Sequence, residues 1–259
     1  MVTKHTILSE KDASLIEELI ASFGRVVSFD QIKKVFAKEY SSIGLKKRIG
    51  FLAKQGWLIR VKKGLYIIVT DIGLLGSNDI SSNAISRVLN KNSYVSFENA
   101  LQYYAMFDQM VSGTTAVTFE RARTYKVKDL IIRFFKIKKE LYFGYAEEKS
   151  ELGTINVAQK EKALLDILYF RSTGYHASLV WEKIKSYKEK IDFTLLKQYA
   201  AKFNFDVIRQ VGFFLDKIGV ETKELLEIVH GKKGYSRMTK ESKRFNAKWR
   251  LYYDDSIDG

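Results

Sequence analysis

The chain has 259 residues, 46% of them hydrophobic and 14% aromatic, enough for a sizeable core and for two domains or a domain plus a module. It has no cysteine, which excludes disulfides and thiol-ligated metals, and its three histidines (His5, His176, His230) are too far apart in sequence to form a metal-ligand pattern, so neither a metal nor a cofactor is expected. The net charge of +14 is concentrated: residues 1–69 hold 13 basic and 6 acidic side chains, residues 121–139 and 230–250 each hold 8 and 1, and the remainder is net negative, a pattern that favours a polyanionic partner.

The N-terminal "MVTKHTILSEKDASL" lacks the apolar stretch and small-residue cleavage site of a secretory signal. No apolar run anywhere approaches the ~18 residues that span a bilayer, so a cytoplasmic protein with no membrane partner is expected. The first helix is predicted in "SEKDASLIEELIAS", with Ser9 as N-cap, a stripe of Leu15, Ile16, Leu19 and Ile20, and Gly24 as its end. "RVV" reads as a short extended segment. "SFDQIKKVFAKEY" follows as a helix, with Ser28 and Gln31 in capping-box spacing. A cap at Ser41 or Ser42 opens a third helix, with Leu45, Ile49 and Leu52 facing inward and Gly56 as its stop. "WLIRVKK", Gly64 and "LYIIV" then read as two strands around a tight turn.

Helix, short strand, helix, helix and hairpin is the order of a winged helix-turn-helix. Opposite the Leu45–Ile49–Leu52 face lie Lys47, Gly50 and Lys54, with Lys46 at the edge, the surface a recognition helix offers to a major groove. Gly50 allows close approach to DNA. Ser41 and Ser42 stand at a helix N-terminus, which suits a phosphate. Arg60, Lys62 and Lys63 fall on or beside the wing. Lysines at these positions suit phosphate contacts better than a base code.

Residues 76–92 read as a polar linker region, following Gly73 and containing Gly76, Ser77, Asn78, Ser81 and Ser82, with a short helix suggested in "NAISRVLNK". "SYVSFENALQYYAMF" reads as a strand, Ser96 as N-cap, and a helix with Ala100, Leu101 and Tyr104 inward. "TTAVTF", "LIIRFFKI", "ELYFGY" and "GTINV" are rich in β-branched and aromatic residues and read as strands. Arg121, Arg123, Lys126 and Lys128 lie between these runs, either as a solvated basic loop or as a second anion site for DNA phosphate, RNA or a nucleotide. After Val157 the chain reads as helical almost throughout. The expected architecture is α+β: a winged helix-turn-helix at 1–75, the linker region at 76–92, and a mixed α+β domain at 93–259, strand-rich over 93–157 and helical over 158–259.

Within "VAQKEKALLDILYF", Val157, Leu164, Leu165 and Leu168 share one helical face, and Glu161 sits at its centre. A general acid or base there would need a partner, yet Lys162 and Asp166 point away from that face and have the spacing of an i,i+4 ion pair. The expected role of Glu161 is structural, a partly buried carboxylate held by backbone N–H groups or a basic side chain. Ala163, Ile167 and Phe170 make the other side of the helix apolar too, so the helix is a central strut. The last basic cluster (Lys232, Lys233, Arg237, Lys240, Lys243, Arg244) reads as either a solvated arm or an extra DNA contact.

"KKGLYIIV", "YVSFENAL", "TTAVTFERAR", "VAQKEKALLDILY" and "NAKWRLYYDD" occur in the order and spacing of AbiEi-type antitoxins, regulators of AbiE abortive-infection systems. The chain resembles that family from about Gly24 to about Asp255, most specifically in Ala158, Glu161, Lys162, Ala163, Leu164, Leu165 and Asp166 and in the wing residues Gly64 and Tyr66. It departs from the family in lacking every proline, including any in the loop Met110–Gly113. The resemblance implies an N-terminal module that binds inverted repeats in double-stranded DNA at its own promoter and represses it. It also implies a C-terminal domain that counteracts a nucleotidyltransferase-like toxin encoded alongside, without a stable complex. No catalytic residues are expected. The rival readings are an orphan winged-helix regulator and a metal-dependent nuclease using Asp129 with Glu147, Glu148 and Lys149. The second is disfavoured because that triplet reads as a charged turn.

Overall fold

The three N-terminal helices and their hairpin close around their own apolar core in the computed structural model, which describes residues 8–71 and 80–257. Helices α1 (Glu10–Phe23), α2 (Phe29–Phe36) and α3 (Ser42–Gln55) pack with strands β1 (Val26–Ser28), β2 (Leu58–Lys62) and β3 (Leu65–Ile68), which pair antiparallel in the order β1-β3-β2. The caps fall where the sequence puts them. The Ser9 and Ser41 hydroxyls accept from Asp12 N and Gly44 N, and Ser28 and Gln31 form both bonds of a capping box. Gly24 and Gly56 end α1 and α3. Leu45, Ile49 and Leu52 are buried against Leu15, Leu19 and Phe36.

The hairpin has two buried faces. Leu58, Tyr66 and Ile68 belong to the N-terminal core, whereas Ile59, Val61, Ile67 and Val69 pack against the larger region. There they meet helix α4 (Ser82–Leu89) and a six-stranded mixed sheet. Its strands are β4 (Ser93–Val95), β5 (Thr114–Thr118), β6 (Arg123–Val127), β7 (Leu130–Lys136), β8 (Tyr145–Ser150) and β9 (Gly153–Ala158), in the order β6-β7-β5-β4-β9-β8. Ala116, Ile132 and Phe134 face α4 and the hairpin. Val117 and Phe135 face the opposite layer, made by α5 (Phe97–Tyr103), α6 (Lys160–Phe170), α7 (Gly174–Ser186), α8 (Phe193–Ala200), α9 (Phe205–Lys217) and α10 (Lys223–Val229). The fold is α+β, and none of the described helices is long and apolar enough to cross a membrane.

Several expectations need correction. The linker residues Gly73, Gly76, Ser77 and Asn78, and the boundary at 75/76, lie outside the described residues, and the short helix expected in "NAISRVLNK" is α4, which buries Ala84, Ile85 and Leu89. "ELYFGY" is a 3-10 turn (Lys139–Leu141) and irregular chain up to Tyr145, its aromatic rings packing on Tyr94 and Tyr199. "YAEEKS" is the edge strand β8, not a turn, and "RTYKV" is the other edge strand, β6. The end of the chain is not wholly helical. Strands β10 (Ser236–Arg237), β11 (Arg244–Asn246) and β12 (Leu251–Tyr253) form a small sheet that seats Trp249, fully buried, against α9. Gly212 makes this possible: a Cβ there would lie 2.1 Å from the Trp249 ring. Gly113, with φ +85 and Ile131 O 2.0 Å from where a Cβ would stand, fixes the proline-free loop before β5.

Candidate nucleic-acid interface

Helix α3 is amphipathic for a simple reason: leucine and isoleucine recur at i, i+4 and i+7 on one side and cations take the other. Lys46, Lys47, Gly50 and Lys54 are exposed on that side, and so are Ser41 and Ser42 at the N-terminus. A Cβ on Gly50 would meet nothing within 4 Å, so the face is open. Nearby lysines on α1 and after α2 are neutralised, Lys11 by Glu39 at 2.7 Å and Lys38 by Glu18 at 2.6 Å. Lys46, Lys47 and Lys54 have no carboxylate partner among the described residues. Two apolar side chains share the face and were not anticipated: Ile43, 71% exposed, and Phe51, whose ring lies under Arg48 with the guanidinium carbon 4.4 Å from the ring centroid.

The orientation of α3 is set by a buried ion pair that sequence reasoning missed. Asp12 on α1 is fully buried. It accepts from Arg48 Nε at 2.8 Å and from Arg48 Nη2, from the Tyr40 hydroxyl at 3.1 Å and from the Ser9 hydroxyl at 2.6 Å. The signal was present, since Asp12, Leu15, Ile16 and Leu19 share one helical face.

The hairpin cations divide. Arg60 is exposed on β2 and Lys63 is exposed in the turn. Lys62 turns toward the larger region and donates to Leu89 O at the end of α4, at 3.0 Å. The second cluster divides as well. Strand alternation puts Arg123, Tyr125 and Val127 on the side of β6 that faces the hairpin, with Val127 buried there, and sends Lys126 to the other side. Lys128 sits in the β6–β7 turn with φ 52. Arg123, Lys126 and Lys128 are therefore on an edge strand and its turn, and only Arg121 lies in irregular chain, just before β6. Lys62, Arg121 and Arg123, distant in sequence, line one cleft of about 270 Å³ with Asn90, Glu120 and Tyr125.

The last basic cluster is no free arm. Arg237 donates to Ser242 O at 2.7 Å and stacks 3.9 Å over Tyr252, Lys248 pairs with Asp216 at 2.7 Å, and Lys232 lies 5.9 Å over Phe205. Lys233, Lys240 and Lys243 remain exposed on that sheet and its connections, and Arg244 pairs with Asp255 at 2.5 Å.

Around α6 the charges are interior. Glu161 is 2% exposed, and its Oε1 accepts from Asp192 N at 2.9 Å, tying α6 to the start of α8. Lys162 and Asp166 do form an i,i+4 pair, but both are fully buried. Tyr94 and Ser96 donate to Asp166 Oδ2 at 3.1 and 2.7 Å, and Lys162 also donates to Tyr94 at 2.7 Å. The Ser96 hydroxyl therefore serves Asp166 instead of capping α5, although Ser96 is the cap residue. Burial pulls the Lys162 pKa down against the opposing pull of Asp166, and burial with the Asp166 charge pushes the Tyr94 phenol up. With no polar face open to solvent, this network joins β4, α5 and α6 rather than handling a substrate. Asp129 and Glu147–Lys149 lie toward opposite edges of the six-stranded sheet, roughly 20 Å apart at ~4.8 Å per strand, so the nuclease constellation does not assemble. No cluster among the described residues is arranged to hold a metal ion.

No protein-family model matches this sequence, and no curated protein matches it. In structure the chain is similar to the RV2827C protein from Mycobacterium tuberculosis, known from a crystal structure. The likeness covers 95% of this chain and 92% of that one, with a TM-score of 0.62 and 12% sequence identity. At that identity it speaks of the fold alone, and it extends over both the N-terminal module and the larger α+β region.

Proposed function

We propose that the protein is a transcriptional autorepressor whose N-terminal winged helix-turn-helix binds double-stranded DNA at its own promoter, and that it also acts as an antitoxin. The observation that carries the DNA reading is the open face of α3, where Lys46, Lys47, Gly50 and Lys54 lie opposite a fully packed stripe and no carboxylate among the described residues neutralises the lysines. The element order and the β1-β3-β2 hairpin sheet support it. Ser41 and Ser42 are exposed at the N-terminus of α3, where hydroxyls and backbone N–H groups suit a phosphate, and the exposed Arg60 and Lys63 would extend the contact along the hairpin. The antitoxin half of the reading rests on the AbiEi-like sequence runs.

The DNA reading is tested by fluorescence anisotropy with DNA from upstream of the gene at about 0.15 M salt. Lys47→Glu with Lys54→Glu is expected to weaken binding by about 100-fold without changing the melting temperature, because two phosphate contacts become repulsions. Unchanged affinity would overturn it. The antitoxin reading is tested with the adjacent gene. It is supported if that gene encodes a nucleotidyltransferase-like protein whose toxicity disappears on co-expression, and it fails if co-expression gives no relief.

A further inference from the structure

The cleft between the hairpin and the edge of the sheet has the makings of a separate site. It is the open mouth of the core shared by the hairpin, α4 and β6, where Ile59 and Val61 meet Val127 and Phe134. Along β6 the side facing this core runs from Val127, buried, through Tyr125, half-buried, to Arg123 at the rim. Lys62 enters from the hairpin and Arg121 from the chain just before β6. Three cations thus face a single carboxylate, Glu120, which is held by Asn92 Nδ2 at 2.8 Å.

The donors are positioned but not used up. The Lys62 ammonium gives one of its three N–H groups to Leu89 O. Arg123 is steered by its Nη1 bond to the Tyr125 hydroxyl at 3.2 Å, with its other guanidinium N–H groups still to spare. Arg121 is exposed, with no partner among the described residues. A cleft of about 270 Å³, just below the usual size of small-ligand sites, has room for one phosphoryl group with a small organic group attached. Glu120 would repel a run of phosphates, but it can accept from a sugar hydroxyl or a base amino group, while Leu89 and Phe134 offer an apolar wall to a ring.

We propose that this cleft binds a small phosphorylated ligand of the mononucleotide class, its phosphate bridging Lys62 of the hairpin to Arg121 and Arg123 at the sheet edge. The ligand would add a bridge between the hairpin and the sheet edge beside the apolar contacts already there, and the site does not rest on the DNA reading.

Calorimetric titration of the full chain with each of the four common nucleoside monophosphates, at about 0.15 M salt, tests the site. At least one is expected to bind with a Kd below about 1 mM, with its unphosphorylated nucleoside at least about tenfold weaker. Arg121→Ala with Arg123→Ala should cost about tenfold or more, and Tyr125→Phe, which only frees Arg123, should cost less. Lys47→Glu with Lys54→Glu should leave this binding unchanged, which separates the site from the DNA face. Absence of saturable binding up to about 5 mM would overturn the proposal, as would binding that survives the double arginine variant or ignores the phosphate. If the arginine variant weakens only duplex DNA binding, the site is refuted and the cations belong to the DNA contact.

Discussion

Each half of the molecule places carboxylates on buried surfaces of a helix, and the two halves use them to different ends. In the N-terminal module, Asp12 is answered by Arg48 from α3, a helix whose other face is open and lined with lysines that have no carboxylate partner among the described residues. In the larger region, Glu161 and Asp166 are answered by Asp192 N, Lys162, Tyr94 and Ser96, all inside. An acid on an apolar face therefore marks a structural pin in both places, but only the first pin aims a surface. The run most specific to the family resemblance, Glu161 to Asp166, is thus architectural, and the residues proposed to contact DNA lie in the less distinctive N-terminal seventy.

The largest effect should come from the interior network. Asp166→Ala strands the Lys162 ammonium in the core and is expected to cost about 3–5 kcal/mol, a fall of roughly 10 °C in the melting temperature followed by circular dichroism. Lys162→Met with Asp166→Leu should recover most of that loss, since neither charge is then left alone. A single variant that melts like the parent would show that the network contributes nothing. Asp12→Ala should cost somewhat less, about 2–3 kcal/mol, because Arg48 is partly in contact with solvent and can rehydrate. It should also weaken DNA binding, whereas Asp166→Ala should not at temperatures where it is folded. The reverse pattern would break the distinction between the two pins.

Glu161→Ala should cost about 1–3 kcal/mol by leaving the Asp192 N–H unpaired. Glu161→Gln keeps an acceptor there and should recover most of it. The smallest effect is on acid stability. Burial pushes the Glu98 pKa up, but hydrogen bonding from His176 and from its own backbone, together with Arg171, outweighs it and leaves it below the ordinary value. For Asp216, burial is likewise outweighed by bonds from Lys248, Thr222 and Trp249. A folded-state pKa below the unfolded one gives stability that is present above about pH 4 and lost as pH falls through the lowered value. Melting temperatures should therefore drop below about pH 4, and less steeply in Glu98→Gln with Asp216→Asn. Parallel pH profiles would contradict this.

The N-terminal elements were readable because local rules decide them: the Ser28–Gln31 capping box, the stops at Gly24 and Gly56, and the Leu45–Ile49–Leu52 stripe all form as written. The edge strands were not readable. β6 and β8 carry charges on exposed positions, as edge strands do, and so read as loop and turn. "ELYFGY" failed in the other direction, since its aromatic residues serve ring packing, not a ladder. The candidate site was legible on α3, but the meeting of Lys62 with Arg121 and Arg123 depends on tertiary contact between distant segments. Asp12 was legible in principle, by the same face-sharing that drew attention to Glu161.

The claim that the open face of α3 contacts DNA backbone is tested most directly by the salt dependence of binding to the upstream DNA. Each phosphate contact contributes about 0.9 to the slope of log K against log salt. Lys47→Ala with Lys54→Ala should therefore reduce the slope by about 2 while the protein melts normally. A slope and affinity equal to those of the parent would contradict the account.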